Sequence, residues 1–160
     1  MPAYKRRFVP GGSYFFTVCL EDRRSTCLIE HVDLLADAWR RTKALRPFAS
    51  PAWAILPDHL HCIWELPAGD ADYMSRWKTL KALFTQGLRA RGVPVPHGRR
   101  PRERALWQRR YWEHVVRDRD DRNNHIDYIE TNPLKHGLVT DLADWPWTSW
   151  YQRHCAGAPP

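Results

Sequence analysis

The sequence predicts an α+β domain with a ferredoxin-like antiparallel sheet and helices packed mainly on one face of that sheet. The first observation is the order of periodic segments, which is strand, helix, strand, strand, helix, strand, helix. The second is the short connection Pro57-Asp58 between the two middle strands, which is typical of an antiparallel hairpin. The third is the length of 160 residues with 43% hydrophobic side chains, which supports one domain with one core.

The first half of the chain contains three predicted strands and one predicted helix. Residues 13–20 are apolar on both faces and rich in aromatic and β-branched side chains, as a central strand would be. Residues 31–46 have apolar side chains at helical spacing, and Pro47 ends this helix. Residues 52–56 and 59–66 are the two strands of the predicted hairpin.

The second half begins with the clearest helical pattern of the chain. Residues 72–90 have an aromatic and aliphatic stripe at helical spacing, which we interpret as core. Residues 111–117 are the fourth predicted strand. A last helix is predicted over residues 118–131, with Asp118 or Asp120 as its N-cap.

The C-terminal part of the chain is expected to pack against the domain. The last helix should end at Asn132, because a residue before proline is disfavoured in the α region and Pro133 follows. The aromatic segment 145–151 is expected to cover the sheet rather than to stack on bases. We expect residues 1–155 to form the single domain and residues 156–160 to be a disordered tail.

The composition favours a polyanionic partner and a reducing compartment. There are 25 Lys and Arg residues against 18 Asp and Glu residues, and the sequence pI is about 9.5. This balance favours nucleic acid, although a basic enzyme without such a partner has the same charge. The four cysteines show no disulfide-like spacing. No signal-peptide pattern and no apolar run of membrane-spanning length is present, so we expect a cytoplasmic protein with no membrane partner.

Two histidines in the second strand of the hairpin are the first candidate site. Side chains alternate along a strand, so His59 and His61 share one face while Cys62 points to the other. Two adjacent imidazoles are a ready pair of metal ligands. Two other interpretations remain open: an ordinary pair of histidines, or a zinc module that includes Cys62. The zinc module is disfavoured by the strand alternation.

A tyrosine and an asparagine near the end of the last helix could complete this site. Tyr128 and Asn132 are four residues apart and therefore lie on the same helix face. If that face packs beside the histidines, the amide oxygen of Asn132 can be a third ligand, and the ion can polarise a phosphate oxygen. A free tyrosine has a pKa near 10, so Tyr128 needs activation by the ion or by Lys135. Tyr111 is the next candidate nucleophile.

Four segments carry a resemblance to a known family. These segments are Pro-Gly-Gly-Ser-Tyr-Phe-Phe-Thr (10–17), Leu-Pro-Asp-His-Leu-His (56–61), Trp107 to Arg117, and Asp-Tyr-Ile-Glu-Thr-Asn-Pro-Leu-Lys-His-Gly-Leu-Val (127–139). The last of these is the most specific. In these segments the chain resembles the single-tyrosine HUH nucleases of the insertion-sequence 200 type, and among them the REP-associated tyrosine transposases of bacteria.

The resemblance implies a fold, a reaction and a cofactor. It implies the HUH nuclease fold with Mg²⁺ or Mn²⁺ held by His59, His61 and Asn132. Tyr128 would attack single-stranded DNA at a hairpin and form a 5′-phosphotyrosine, and a 3′-hydroxyl would reverse this step in strand transfer. The alternative is a catalytically idle protein that binds DNA hairpins.

The resemblance and the charge pattern together give the expected DNA contacts. The N-terminal arm and the following turn are expected to contact a tetranucleotide at the foot of the hairpin, and a basic loop is expected to contact the DNA backbone. The oligomeric state stays open between monomer and homodimer, and a nucleoid-associated protein of the bacterial cytoplasm is expected. The predicted DNA-binding residues are Arg6, Arg7, Gly11, Gly12, Arg99, Arg100 and Lys135.

Overall fold

A computed structural model describes residues 5–96 and 106–156. The strands within these residues are β1 (Ser13–Cys19), β2 (Ala49–Ile55), β3 (His59–Glu65) and β4 (Trp112–Val115). The helices there are α1 (Cys27–Glu30), α2 (Val32–Leu45), α3 (Tyr73–Ala90), α4 (Arg119–Glu130), α5 (Asn132–Lys135) and α6 (Ser149–His154), with a 3-10 turn at Leu142–Asp144. Apart from its first residue, the predicted tail 156–160 lies outside the described residues.

The four strands form one antiparallel sheet in the order β2-β3-β1-β4. With α2 between β1 and β2 and α3 between β3 and β4, this is the ferredoxin-like plan, so the predicted fold class is confirmed. The strand β3 is central: His61 pairs with Thr17 of β1 on one side and with Ala54 of β2 on the other. No helix in the described part of the chain is long and apolar enough to cross a membrane.

The two faces of the sheet carry different cores. The larger core lies beneath the long helices α2 and α3, where Trp64 of β3 stacks on Trp77 with ring centroids 4.1 Å apart. The predicted aromatic stripe of residues 72–90 is therefore core, as expected. The opposite face has a smaller core, which includes Phe15 and Ile63 of the sheet and Ile129 of α4. The helix α4 thus covers the face that carries the histidines.

The last helix breaks earlier than expected. The helix α4 begins after its N-cap Asp118, as predicted, but ends at Glu130, and a new helix α5 starts at Asn132. The expectation that the residue before Pro133 leaves the helical region is wrong. Proline has no N–H to continue the ladder of α4, but it is tolerated in the first turn of a new helix, so the chain breaks at Thr131 instead.

The aromatic C-terminal segment packs on the edge strand β2, as predicted. The backbone N–H of Ile55 donates to the carbonyl of Trp147 at 2.9 Å. Beyond it, the Ser149 hydroxyl and the Arg153 guanidinium both donate to the buried carboxylate of Glu130, at 2.7 and 2.6 Å. The segment therefore protects the sheet edge and also anchors the last turn of α4, close to Tyr128.

Candidate active site

His59 and His61 lie side by side on one face of β3. Their ring centroids are 4.9 Å apart and both residues are buried. Cys62 is fully buried in the core on the other face, beneath α2 and α3. The sheet therefore separates Cys62 from the two imidazoles, and a site that combines all three side chains is excluded.

Each imidazole is held through its Nδ1 atom. Nδ1 of His59 donates to the Asp58 carboxylate at 2.8 Å, and Asp58 is also paired with Arg23. Nδ1 of His61 is hydrogen-bonded to the Thr17 hydroxyl at 2.8 Å. Such partners fix the orientation of a metal-ligating histidine and leave its Nε2 atom for the ion. The local structure of β1 and β3 therefore presents two Nε2 atoms.

Asn132 brings a buried oxygen to the same place. Its Nδ2 donates weakly to the Tyr128 carbonyl at 3.5 Å, which leaves its Oδ1 for another partner. Within the described residues, Oδ1 of Asn132 and Nε2 of His61 are both buried without a hydrogen-bond partner. An orphaned buried polar atom costs about 1–3 kcal/mol. A divalent cation between these atoms would satisfy both, so the residues present fit a metal ion.

The imidazoles are held in the neutral form that binds metal. Burial lowers the pKa of His61 to about 3, repulsion from His59 and His136 acts in the same direction, and a contact with Asn132 opposes it. Burial also lowers the pKa of His59, although the Asp58 carboxylate raises it. Both rings therefore keep a lone pair free near neutral pH.

Tyr128 lies beside the histidines with its side chain accessible. Its residue is 40% exposed, and its ring centroid is 5.4 Å from that of His61. The Lys135 ammonium lies over the tyrosine ring, 4.4 Å from its centroid. The structure thus brings together a solvent-accessible phenol, a cation and the candidate metal ligands.

Tyr111 occupies a different environment from Tyr128. It packs against Phe16 and Trp77 on the α3 side of the sheet, and its hydroxyl is buried without a partner among the described residues. Burial raises its pKa to about 12. Tyr111 is therefore on the opposite face from His61 and cannot reach a phosphate held there.

The N-terminal arm is engaged by the protein itself. The Arg6 guanidinium donates to the buried Glu113 carboxylate at 2.7 Å and lies 4.1 Å from the centroid of the Tyr111 ring. Arg7 is exposed, and its carbonyl accepts a hydrogen bond from the Tyr73 hydroxyl at 2.9 Å. The structure does not bring Arg6 together with Tyr128, because the partners of Arg6 lie on the α3 side.

The turn after the arm is a tight backbone feature. Gly11 has a φ of +67°, a conformation that favours glycine. At Gly12 an added Cβ would lie 2.8 Å from the carbonyl oxygen of Val9, so a larger residue would not fit without movement. The other two predicted contacts, Arg99 and Arg100, lie outside the described residues.

A second histidine cluster was not predicted from the sequence. His114 of β4 and His125 of α4 flank Asp121, and their potential ligand atoms lie within 4.8 Å of one another. The three residues are hydrogen-bonded to one another: His114 Nε2 to the Asp121 carboxylate at 2.9 Å, and His125 Nδ1 to the Asp121 carbonyl at 2.8 Å. Arg117 also donates to this carboxylate. The Asp121 carboxylate is therefore shared between His114 and Arg117.

His136 also lies near the site, although it was not among the site residues predicted from the sequence. Its ring centroid is 5.2 Å from that of His59. The only sequence signal was its position four residues after Asn132, which places both side chains on the same side of a helical turn. The cluster around Asp121 had a similar signal, since His125 follows Asp121 at the same spacing.

The chain is similar to two curated proteins. The REP-associated tyrosine transposase of Escherichia coli (strain K12) is 39% identical over 160 residues, which is 100% of this chain and 89% of that protein. A putative REP-associated tyrosine transposase of Haemophilus influenzae is 41% identical over 153 residues, which is 95% of this chain and 87% of that protein. No protein-family model matches the chain.

Solved structures match as well. A REP-associated tyrosine transposase bound to a REP hairpin has a TM-score of 0.83 and 40% identity, covering 100% of this chain and 89% of that one. A putative transposase from Deinococcus radiodurans has a TM-score of 0.51 and 21% identity, covering 80% of this chain and 95% of that one. The second likeness supports the fold alone.

The depressed pKa of His61 makes stability depend on pH in the metal-free protein. The unfolded chain protonates this residue near its ordinary pKa of about 6.5, but the folded protein does so only near 3. The free energy of unfolding therefore falls as the pH falls through this window. In the His61→Gln variant the free energy of unfolding should therefore fall less steeply with decreasing pH. The difference in slope should be up to about 1.4 kcal/mol per pH unit.

Urea unfolding in EDTA between about pH 4.5 and 7 measures this difference. The exposed variant His154→Gln is the control and should keep the wild-type slope. A His61→Gln protein with an unchanged slope would contradict the buried neutral imidazole.

Proposed function

This chain belongs to the family of REP-associated tyrosine transposases, and on that premise we propose that it cleaves and rejoins single-stranded DNA at a hairpin through Tyr128. The observation that carries the proposal is the position of the Tyr128 ring, 5.4 Å from the ring of His61, whose buried Nε2 has no partner among the described residues. The solved relative bound to a REP hairpin supports hairpin DNA as the substrate.

The proposed reaction is a transfer of one phosphoryl group. The Tyr128 Oη atom attacks the phosphorus and loses its proton to solvent as the new P–O bond forms. The bond from phosphorus to the 3′ oxygen breaks, and that oxygen takes up a proton. The products are a 5′-phosphate linked to Tyr128 and a free 3′-hydroxyl, and attack by another 3′-hydroxyl reverses the step as strand transfer.

We propose that His59, His61 and Asn132 hold the metal ion of this site. Bound Mg²⁺ or Mn²⁺ supplies Lewis-acid polarisation of a phosphate oxygen. Thr17 and Asp58 hold the two rings so that their Nε2 atoms face the site, and burial keeps both rings neutral. The neutral ligands leave the charge of the ion available to the phosphate.

Lys135 is the group we propose to activate Tyr128. Its ammonium lies over the aromatic face, 4.4 Å from the ring centroid, where a positive charge stabilises the phenolate that forms as the proton leaves. The net charge of +7 favours the approach of a DNA strand to this site. The protein would act on nucleoid DNA in the bacterial cytoplasm, as a monomer or a homodimer.

Replacing the nucleophile tests the proposal. Tyr128→Phe should abolish the covalent protein–DNA adduct on a labelled hairpin oligonucleotide with Mn²⁺, while hairpin binding persists, because only the attacking oxygen is lost. Tyr151→Phe is the matched control and should form the adduct. Denaturing gels measure the adduct, and a parallel sample in EDTA should show none.

Two outcomes would count against the proposal. An adduct that survives Tyr128→Phe places the nucleophile on another residue. A wild-type protein that binds the hairpin but forms no adduct with either Mg²⁺ or Mn²⁺ would favour the idle hairpin-binding alternative.

Removing the cation over the tyrosine ring should slow the reaction without preventing binding. A cation–π contact is worth about 0.5–2 kcal/mol, so Lys135→Gln should reduce the rate of adduct formation about tenfold. Single-turnover rates at saturating DNA measure this effect. Lys78→Gln, an exposed change on α3, is the control, and equal rates in the two variants would exclude Lys135 as the activator.

A further inference from the structure

A third imidazole stands next to the proposed metal ligands. The ring of His136 is 5.2 Å from that of His59 at an interplanar angle of 70°, and His59 is 4.9 Å from His61 at 84°. We propose that His136 is a fourth protein ligand of the divalent ion, beside His59, His61 and Asn132. This inference rests on the proposed metal site and adds to it a residue that decides which ion is preferred.

The short helix α5 fixes the position of His136 relative to Asn132. The backbone N–H of His136 donates to the Asn132 carbonyl at 3.0 Å, which closes one helical turn between the two residues. Residues four apart on a helical turn project from the same side. The chain then turns away at Gly137, which has a φ of +67°. The same helical turn therefore positions both the amide of Asn132 and the imidazole of His136.

The ring of His136 has no competing partner in the described part of the chain. His59 and His61 each use Nδ1 for a carboxylate or a hydroxyl, whereas neither ring nitrogen of His136 has a hydrogen-bond partner among the described residues. His136 is exposed, so its ring can turn toward an ion without breaking an existing bond.

The additional imidazole changes the chemistry of the site. Oxygen ligands suit Mg²⁺, whereas imidazole nitrogen suits transition metals, and affinity rises along the series from Mn²⁺ to Co²⁺ and Ni²⁺. Three imidazoles and one amide therefore favour Mn²⁺ or Co²⁺ over Mg²⁺. His136 acts as the ligand that shifts the preference of the site from Mg²⁺ to Mn²⁺.

Direct Mn²⁺ binding tests the inference without relying on activity. Free Mn²⁺ is followed by EPR during titration of the metal-free protein, and Mg²⁺ affinity is measured by competition. His136→Ala should raise the Kd for Mn²⁺ at least about tenfold, because even outer-shell partners of metal ligands contribute 10–100-fold. The Kd for Mg²⁺ should change much less, so the preference for Mn²⁺ should decline.

Two further variants separate this inference from the proposed function. His61→Ala should lose Mn²⁺ binding, and His154→Ala, whose ring stacks on Trp150 in α6, should bind as the wild type does. If His61→Ala loses Mn²⁺ while His136→Ala keeps it within about twofold, the inference about His136 is overturned and the metal site stands. If His61→Ala also binds Mn²⁺ unchanged, the proposed metal site fails, and the inference fails with it.

Discussion

The alternation of side chains along β3, with its two faces covered by different helices, is the constraint on which the site depends. Cys62 and Trp64 are buried in the core beneath α2 and α3. Because side chains alternate along the strand, His59 and His61 lie on the other face. On that face, Ile129 of α4 contributes to a smaller core. A central strand of the sheet can therefore present two polar rings beside the accessible side chain of Tyr128.

The second constraint is the break between α4 and α5. The break at Thr131 leaves Tyr128 in α4 and places Asn132 at the start of α5, where Asn132 is buried while Tyr128 is accessible. The buried carboxylate of Glu130, held by the C-terminal segment, anchors the helix just before this break. The packing of the tail is thus part of what positions the nucleophile.

Much of this arrangement could be predicted from local sequence patterns. The period of two along His59 to His61 acts within one strand, and the spacing of four places Asn132 one turn after Tyr128, although the two residues lie in different helices. What could not be predicted depends on tertiary pairing. Arg6 looks like a free basic arm in the sequence, yet its guanidinium meets the buried Glu113, some hundred residues along the chain. The closeness of His136 to His59 likewise depends on a tertiary contact, between the residue that follows α5 and the first residue of β3.

The central claim is that the phenol beside the histidine pair is the group that becomes linked to DNA. Mass spectrometry of the protein–DNA adduct, after proteolysis and nuclease trimming, measures the attachment point directly. The account predicts a 5′-phosphate on the peptide that contains Tyr128, with fragment ions that assign it to this residue. A phosphate mapped to any other residue would contradict the account.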